Sequence, residues 1–306
     1  MKKIITVLAI ILLGTISIYF LGRGNSNRTQ TTLSKVKVTT SFYPLYYFTS
    51  QIGGDKIDIV NITPAGAEPH DYDPSTKDIA KIEKSDLLVL NGGVEGWGDK
   101  IQNNLKGSKT EIVVAGKNLL TQSLVEEGKT QTDPHVWLDP VRAKEEIHEI
   151  TQALITVDPK DSLYFKANEE KLHKQLDDLD KSFKSGLLNC SHKDIVTSHA
   201  AFGYLASRYG LTQVPIAGLS PDQEPSSKQL AEVSDFAKRN NIKYIFFESL
   251  VSPKLSETIA REVGAKTLVL DPIEGVSDDD LKSGKNYYNI MQDNLKNLQI
   301  ALECKT

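Results

Sequence analysis

Residues 160–188 read KDSLYFKANEEKLHKQLDDLDKSFKSGLL. The stretch holds no internal proline, and its first glycine is Gly186. Leu172, Leu176, Leu179, Phe183 and Leu187 recur at steps of three and four, which lays one apolar stripe along a helix. Glu169, Lys171, Asp177, Asp180 and Lys184 fill the other face. A helix over all 29 residues would be about 43 Å long at 1.5 Å per residue. That is long enough to run beside two domains and join them stiffly.

Short β-branched runs lie on both sides of it. Before it, Val36–Thr40, Asp58–Ile62, Leu87–Asn91 and Glu111–Ala115 read as strands; after it, Asp194–Ser198, Val214–Ala217, Tyr244–Glu248 and Thr267–Leu270 do so. Helical segments such as Ser75–Lys84, Ser227–Asn240 and Pro253–Val263 separate them. Strand–helix alternation means parallel sheets covered by helices. The expected fold is α/β: two four-stranded parallel-sheet domains, residues 35–158 and 190–306, bridged by a long rigid helix in residues 159–189. A chain of 306 residues suits two domains better than one.

The N-terminus stands apart. Lys2 and Lys3 precede the uncharged run Ile4–Leu21, followed by Gly22-Arg23-Gly24 and a polar stretch. A basic start before an apolar run is an export signal. At about 18 residues the run also reaches bilayer-spanning length, and Tyr19, Phe20 and Leu21 occupy positions where a cleavage site needs small residues. Residues 1–24 are therefore expected to be a signal or membrane anchor and residues 25–34 a flexible linker. The leading lysines orient the body outward, to an extracytoplasmic location. Beyond residue 24 the chain carries 33 basic and 40 acidic residues, with no basic stripe to bind nucleic acid. Its two cysteines, Cys190 and Cys304, exclude a disulfide-dense scaffold and a cysteine zinc finger. One bridge and two free thiols both remain open.

Of six histidines, His148, His173 and His192 lie among charged residues on helical or linker segments, where surface placement is the ordinary outcome. The other three do not. His70 stands in Glu68-Pro69-His70-Asp71-Tyr72-Asp73-Pro74, and His135 in Asp133-Pro134-His135-Val136-Trp137-Leu138-Asp139-Pro140, each just before a helix. His199 follows one strand directly, and Asp271 follows another. Ligands of parallel α/β sheets bind beyond the carboxyl ends of the strands. Three neutral imidazoles and one carboxylate suit a borderline divalent metal such as Zn²⁺.

These stretches, with Thr40-Ser41-Phe42-Tyr43-Pro44, Thr197-Ser198-His199-Ala200-Ala201-Phe202-Gly203-Tyr204-Leu205, Gln223-Glu224-Pro225-Ser226, Phe247-Glu248 and Leu270-Asp271-Pro272, give the chain a resemblance. From about Lys35 to its C-terminus it resembles the zinc- and manganese-binding solute-binding proteins of bacterial ABC importers, the ZnuA/TroA-like group. The resemblance implies that the metal lies between the two domains. It implies His70, His135, His199 and Asp271 as the ligands, with Glu248 as a reserve carboxylate. It implies a monomer that captures Zn²⁺ and delivers it to a membrane permease with its ATPase, without being an enzyme; manganese or iron is the alternative cargo.

Many relatives carry a lipidated cysteine after the signal, and many zinc-specific ones a His-rich loop before the second ligand. Here no cysteine precedes Cys190, and Lys117–Thr132 contains no histidine. At the third ligand position manganese-specific relatives usually carry Glu, and His199 there favours zinc. A metal-dependent hydrolase is disfavoured because four protein ligands leave no open position for water and no His-Glu-x-x-His helix occurs. An adhesin reading finds no tandem modules.

Overall fold

The computed structural model describes residues 35–126 and 128–305. The expected signal or anchor and the linker lie outside the described residues. Among the described residues no helix is long and apolar enough to cross a membrane.

The first half runs β1 (Val36–Thr40), α1 (Tyr43–Gly53), β2 (Ile57–Asn61), α2 (Thr76–Ile82), β3 (Leu87–Leu90), α3 (Gly98–Asn104), β4 (Glu111–Val114), a hairpin of β5 (Ser123–Glu126) and β6 (Lys129–Thr132), and α4 (Pro140–Val157). Next comes the long helix α5 (Ser162–Gly186). The second half runs β7 (Asp194–Thr197), α6 (Gly203–Tyr209), β8 (Thr212–Pro215), α7 (Ser227–Arg239), β9 (Tyr244–Phe247), α8 (Lys254–Val263), β10 (Lys266–Val269), α9 (Asp278–Lys282) and α10 (Tyr287–Ala301).

Two four-stranded sheets result, ordered β2-β1-β3-β4 and β10-β9-β7-β8. Every pair within them is parallel. The central strand β3 is buried throughout, as an inner parallel strand covered on both faces must be. Helix starts follow local chemistry. Ser75 and Ser226 each accept the backbone N–H three residues on, while Asp78 and Gln229 reach back to the cap.

Helix α5 has 25 residues, about 37 Å. It is shorter than expected because Pro159–Asp161 forms a separate 3₁₀ turn before it. Phe165, Leu172, Leu176, Leu179 and Phe183 are buried against α4, α1 and α10, so one helix touches elements of both halves. Each such side chain contributes about 1.5–3 kcal/mol relative to exposure.

The β5–β6 hairpin was not expected: all four residues of β6 are exposed, so no apolar alternation marks it. Cys190 and Cys304 form a disulfide with Cα atoms 3.7 Å apart, tying the chain before β7 to the end of α10. One core group is out of character. Glu146 of α4 is fully buried, and among the described residues neither carboxyl oxygen has a hydrogen-bond partner. Burial, reinforced by Glu95, pushes its pKa well above the usual carboxylate range.

Candidate metal centre

The carboxyl ends of both sheets meet at one cluster. His70 lies between β2 and α2, His135 between β6 and α4, and His199 just beyond β7. His135 and His199 are fully buried, and the His70 side chain is 9% exposed. Their Nε2 atoms face one another, His135 standing 3.4 Å from His70 and 3.3 Å from His199. The fourth member is Glu274, whose side chain is 1% exposed. Its Oε1 lies 3.2, 3.0 and 3.3 Å from Nε2 of His70, His135 and His199. These are five of the six edges of a tetrahedron, and all four donor atoms lie within 4.8 Å of one another. A regular tetrahedron with edges like these five has its centre about 2.0 Å from each corner, the length of zinc bonds to imidazole nitrogen and carboxylate oxygen.

The outward nitrogens of His135 and His199 are held too. His135 Nδ1 donates to Asp133 Oδ1 at 2.8 Å, and His199 Nδ1 to Glu248 Oε1 at 2.5 Å. Glu248, a reserve ligand in the sequence, thus orients His199 and also accepts from the Ser198 hydroxyl. With Nδ1 carrying the proton, the Nε2 atoms of His135 and His199 turn lone pairs inward. Converging lone pairs and a carboxylate demand positive charge. Burial alone would lower the His199 and His135 pKa values. Glu248 and Glu274 raise the first, Asp133 and Glu274 the second, and the net shift is upward for both. Burial raises the Glu274 pKa but the histidines, His199 foremost, outweigh it and hold the carboxyl well below its usual range. Glu68, two residues before His70, is pushed up to about 9 by burial and then by Glu274.

Asp271, expected as the fourth ligand, is not in this group, which contains Glu274 instead. Its Oδ2 accepts from the Ser249 hydroxyl at 2.6 Å and its Oδ1 from the Ile273 N–H at 2.7 Å. Its own backbone N–H and C=O are bonded to the Asn294 amide. The Asp-Pro-Ile stretch is an Asx turn, which uses the first carboxylate to shape the loop. Ile273, with φ of 59°, then redirects the chain so that Glu274 enters the cluster. The Asp-Pro turn signal was legible in the sequence; the rotation at Ile273 was not, because a β-branched residue rarely takes positive φ.

A family model described as "ZnuA: Zinc-uptake complex component A periplasmic" matches residues 38–301. The chain belongs to this ZnuA family. The high-affinity zinc uptake system protein ZnuA of Bacillus subtilis is 41% identical over 284 residues, covering 89% of each chain. The zinc-binding lipoprotein AdcA of Streptococcus pneumoniae is 41% identical over 277 residues, 87% of this chain but only 55% of its own length. Among solved structures, the Zn(II)-bound ZnuA-like domain of that AdcA has a TM-score of 0.76 at 40% identity, covering 88% of this chain and all of that domain. The two parallel sheets and the long helix are thus those of a ZnuA-type structure.

Proposed function

We propose that this chain is the extracytoplasmic solute-binding component of an ABC importer, capturing Zn²⁺ at His70, His135, His199 and Glu274 and handing it to a membrane permease served by an ATPase. The observation that carries the reading is the spacing of the four donor atoms, 3.0–3.4 Å between the pairs measured, which suits a small tetrahedral ion. Three nitrogens and one oxygen favour zinc, whereas manganese prefers oxygen donors and higher coordination. Four protein donors complete the coordination of zinc and leave no position for a reactive water, which suits capture rather than catalysis.

Binding consists of proton loss from the imidazoles, loss of water from the ion, and closure of the histidine loops and the Glu274 loop around it. Glu274 neutralises half of the dication's charge, and Asp133 and Glu248 supply the rest through the imidazoles. The reading includes a monomer, a body outside the cytoplasmic membrane, and two lobes, residues 35–158 and 190–306, that separate at the permease. In cells deleted for this chain, zinc-limited growth should fail and be restored by added zinc or by the intact gene. Restoration by manganese alone, or normal growth of the deletion under zinc limitation with no other zinc importer present, would refute it.

A further inference from the structure

His135 is held by more than its own loop. The helix that follows His199, α6, grips the segment 133–139 at both ends. Near the start, the buried Tyr204 hydroxyl donates to the Asp133 carbonyl at 3.0 Å and accepts the N–H groups of Thr121 and Gln122 at 2.9 and 3.0 Å. At the far end, Arg208 forms a two-pronged pair with Asp139, Nε to Oδ1 at 2.7 Å and Nη2 to Oδ2 at 2.6 Å. The Asp139 side chain is only 2% exposed, and its Oδ1 also accepts the Val141 N–H that begins α4. Between the two grips α6 lies hard against the segment. A Cβ on Gly203 would stand 2.7 Å from Asp133 Oδ2, the carboxylate that orients His135. Gly210, at φ of 68°, ends the helix, so Tyr204 and Arg208 sit one turn apart on one short rigid element.

We infer that Arg208 is a positioning residue for metal capture. Through Asp139 it fixes the loop of His135 relative to the loop of His199, and so sets the 3.3 Å separation of their Nε2 atoms. The inference rests on the proposed metal site. Its chemistry lies in the fork: guanidinium matches carboxylate with two parallel charge-assisted bonds that fix angle as well as distance, and an ammonium offers only a point charge. Arg208 bonds Asp139 rather than a metal ligand; it removes the freedom of one ligand loop to drift from the other. A site so braced selects a small tetrahedral ion, and a site without the brace relaxes toward longer edges.

The test uses the full exported chain and its Arg208→Ala and Arg208→Lys variants, with zinc affinity measured by chelator competition and visible spectra recorded with Co²⁺ at saturation. The wild type should show intense tetrahedral cobalt bands. Both variants should lose up to about 10-fold in zinc affinity, the low end of what direct outer partners of metal ligands cost, because Arg208 acts one contact further out, and their cobalt bands should weaken or shift even when every site is filled. Arg208→Lys, which keeps charge and most of the length, separates positioning from folding: circular dichroism should match the wild type while the cobalt bands do not. Saturated spectra identical to wild type, with zinc affinity unchanged, would overturn the inference alone. Wild-type protein without tetrahedral cobalt bands would overturn both the inference and the proposed site.

Discussion

Glu274→Ala should lower zinc affinity by more than about 100-fold, beyond what the loss of an outer partner typically costs, whereas Asp271→Asn should cost less than about tenfold. The contrast follows from where the two carboxylates point. Glu274 Oε1 lies within 3.3 Å of all three Nε2 atoms. Removing it leaves three imidazoles to hold a dication in a buried site with no direct counter-charge, and burying an uncompensated charge is expensive. Asp271 shapes the turn that delivers Glu274, and asparagine retains the oxygen that accepts the Ile273 N–H. Competition against a chromophoric chelator measures both variants. The reverse order, with Asp271→Asn the more damaging, would return Asp271 to the ligand set and remove Glu274 from it.

The second large effect belongs to the Cys190–Cys304 bridge. The cysteines are 114 residues apart, and closing a loop of that length restricts the unfolded chain enough to favour the native state by about 2–4 kcal/mol. The bridge anchors the end of α10, and α10 carries Asn294, which holds the backbone of Asp271. Cys304→Ser should therefore lower the unfolding free energy in urea by about 2–4 kcal/mol, a large part of the 5–15 kcal/mol a native protein commonly has. Reducing the wild type should reproduce the loss. A urea midpoint and slope identical to those of the oxidised wild type would show that the bridge contributes nothing to stability.

What the sequence disclosed depended on how directly a residue's surroundings follow from its neighbours. The eight sheet strands lie within two residues of the expected bounds, because inner parallel strands such as Leu87–Leu90 are continuous apolar runs. The three histidines were legible because each follows a strand or precedes a helix, where loops of both halves converge. Asp271 was expected as the fourth ligand since the first carboxylate after a strand is the natural candidate, whereas the turn that follows it occupies its oxygens with Ser249 and the Ile273 N–H. The β6 strand carries no apolar alternation because all four of its residues are exposed. Glu146 sits between Ala143 and Ile147, on the face of α4 that is buried; its place in the period was visible, but no local rule predicts a carboxyl in a core. The pairing of Arg208 with Asp139 joins residues 69 positions apart, which only the folded chain reveals.

The proposed centre is a single tetrahedral site built from three imidazoles and one carboxylate. Zinc K-edge X-ray absorption of the full chain, loaded with one equivalent, tests it most directly. The expected result is four nitrogen or oxygen neighbours at about 2.0 Å, with the outer-shell scattering of three imidazoles and no second zinc. Five or six neighbours at longer distances, or fewer than three imidazoles, would contradict it.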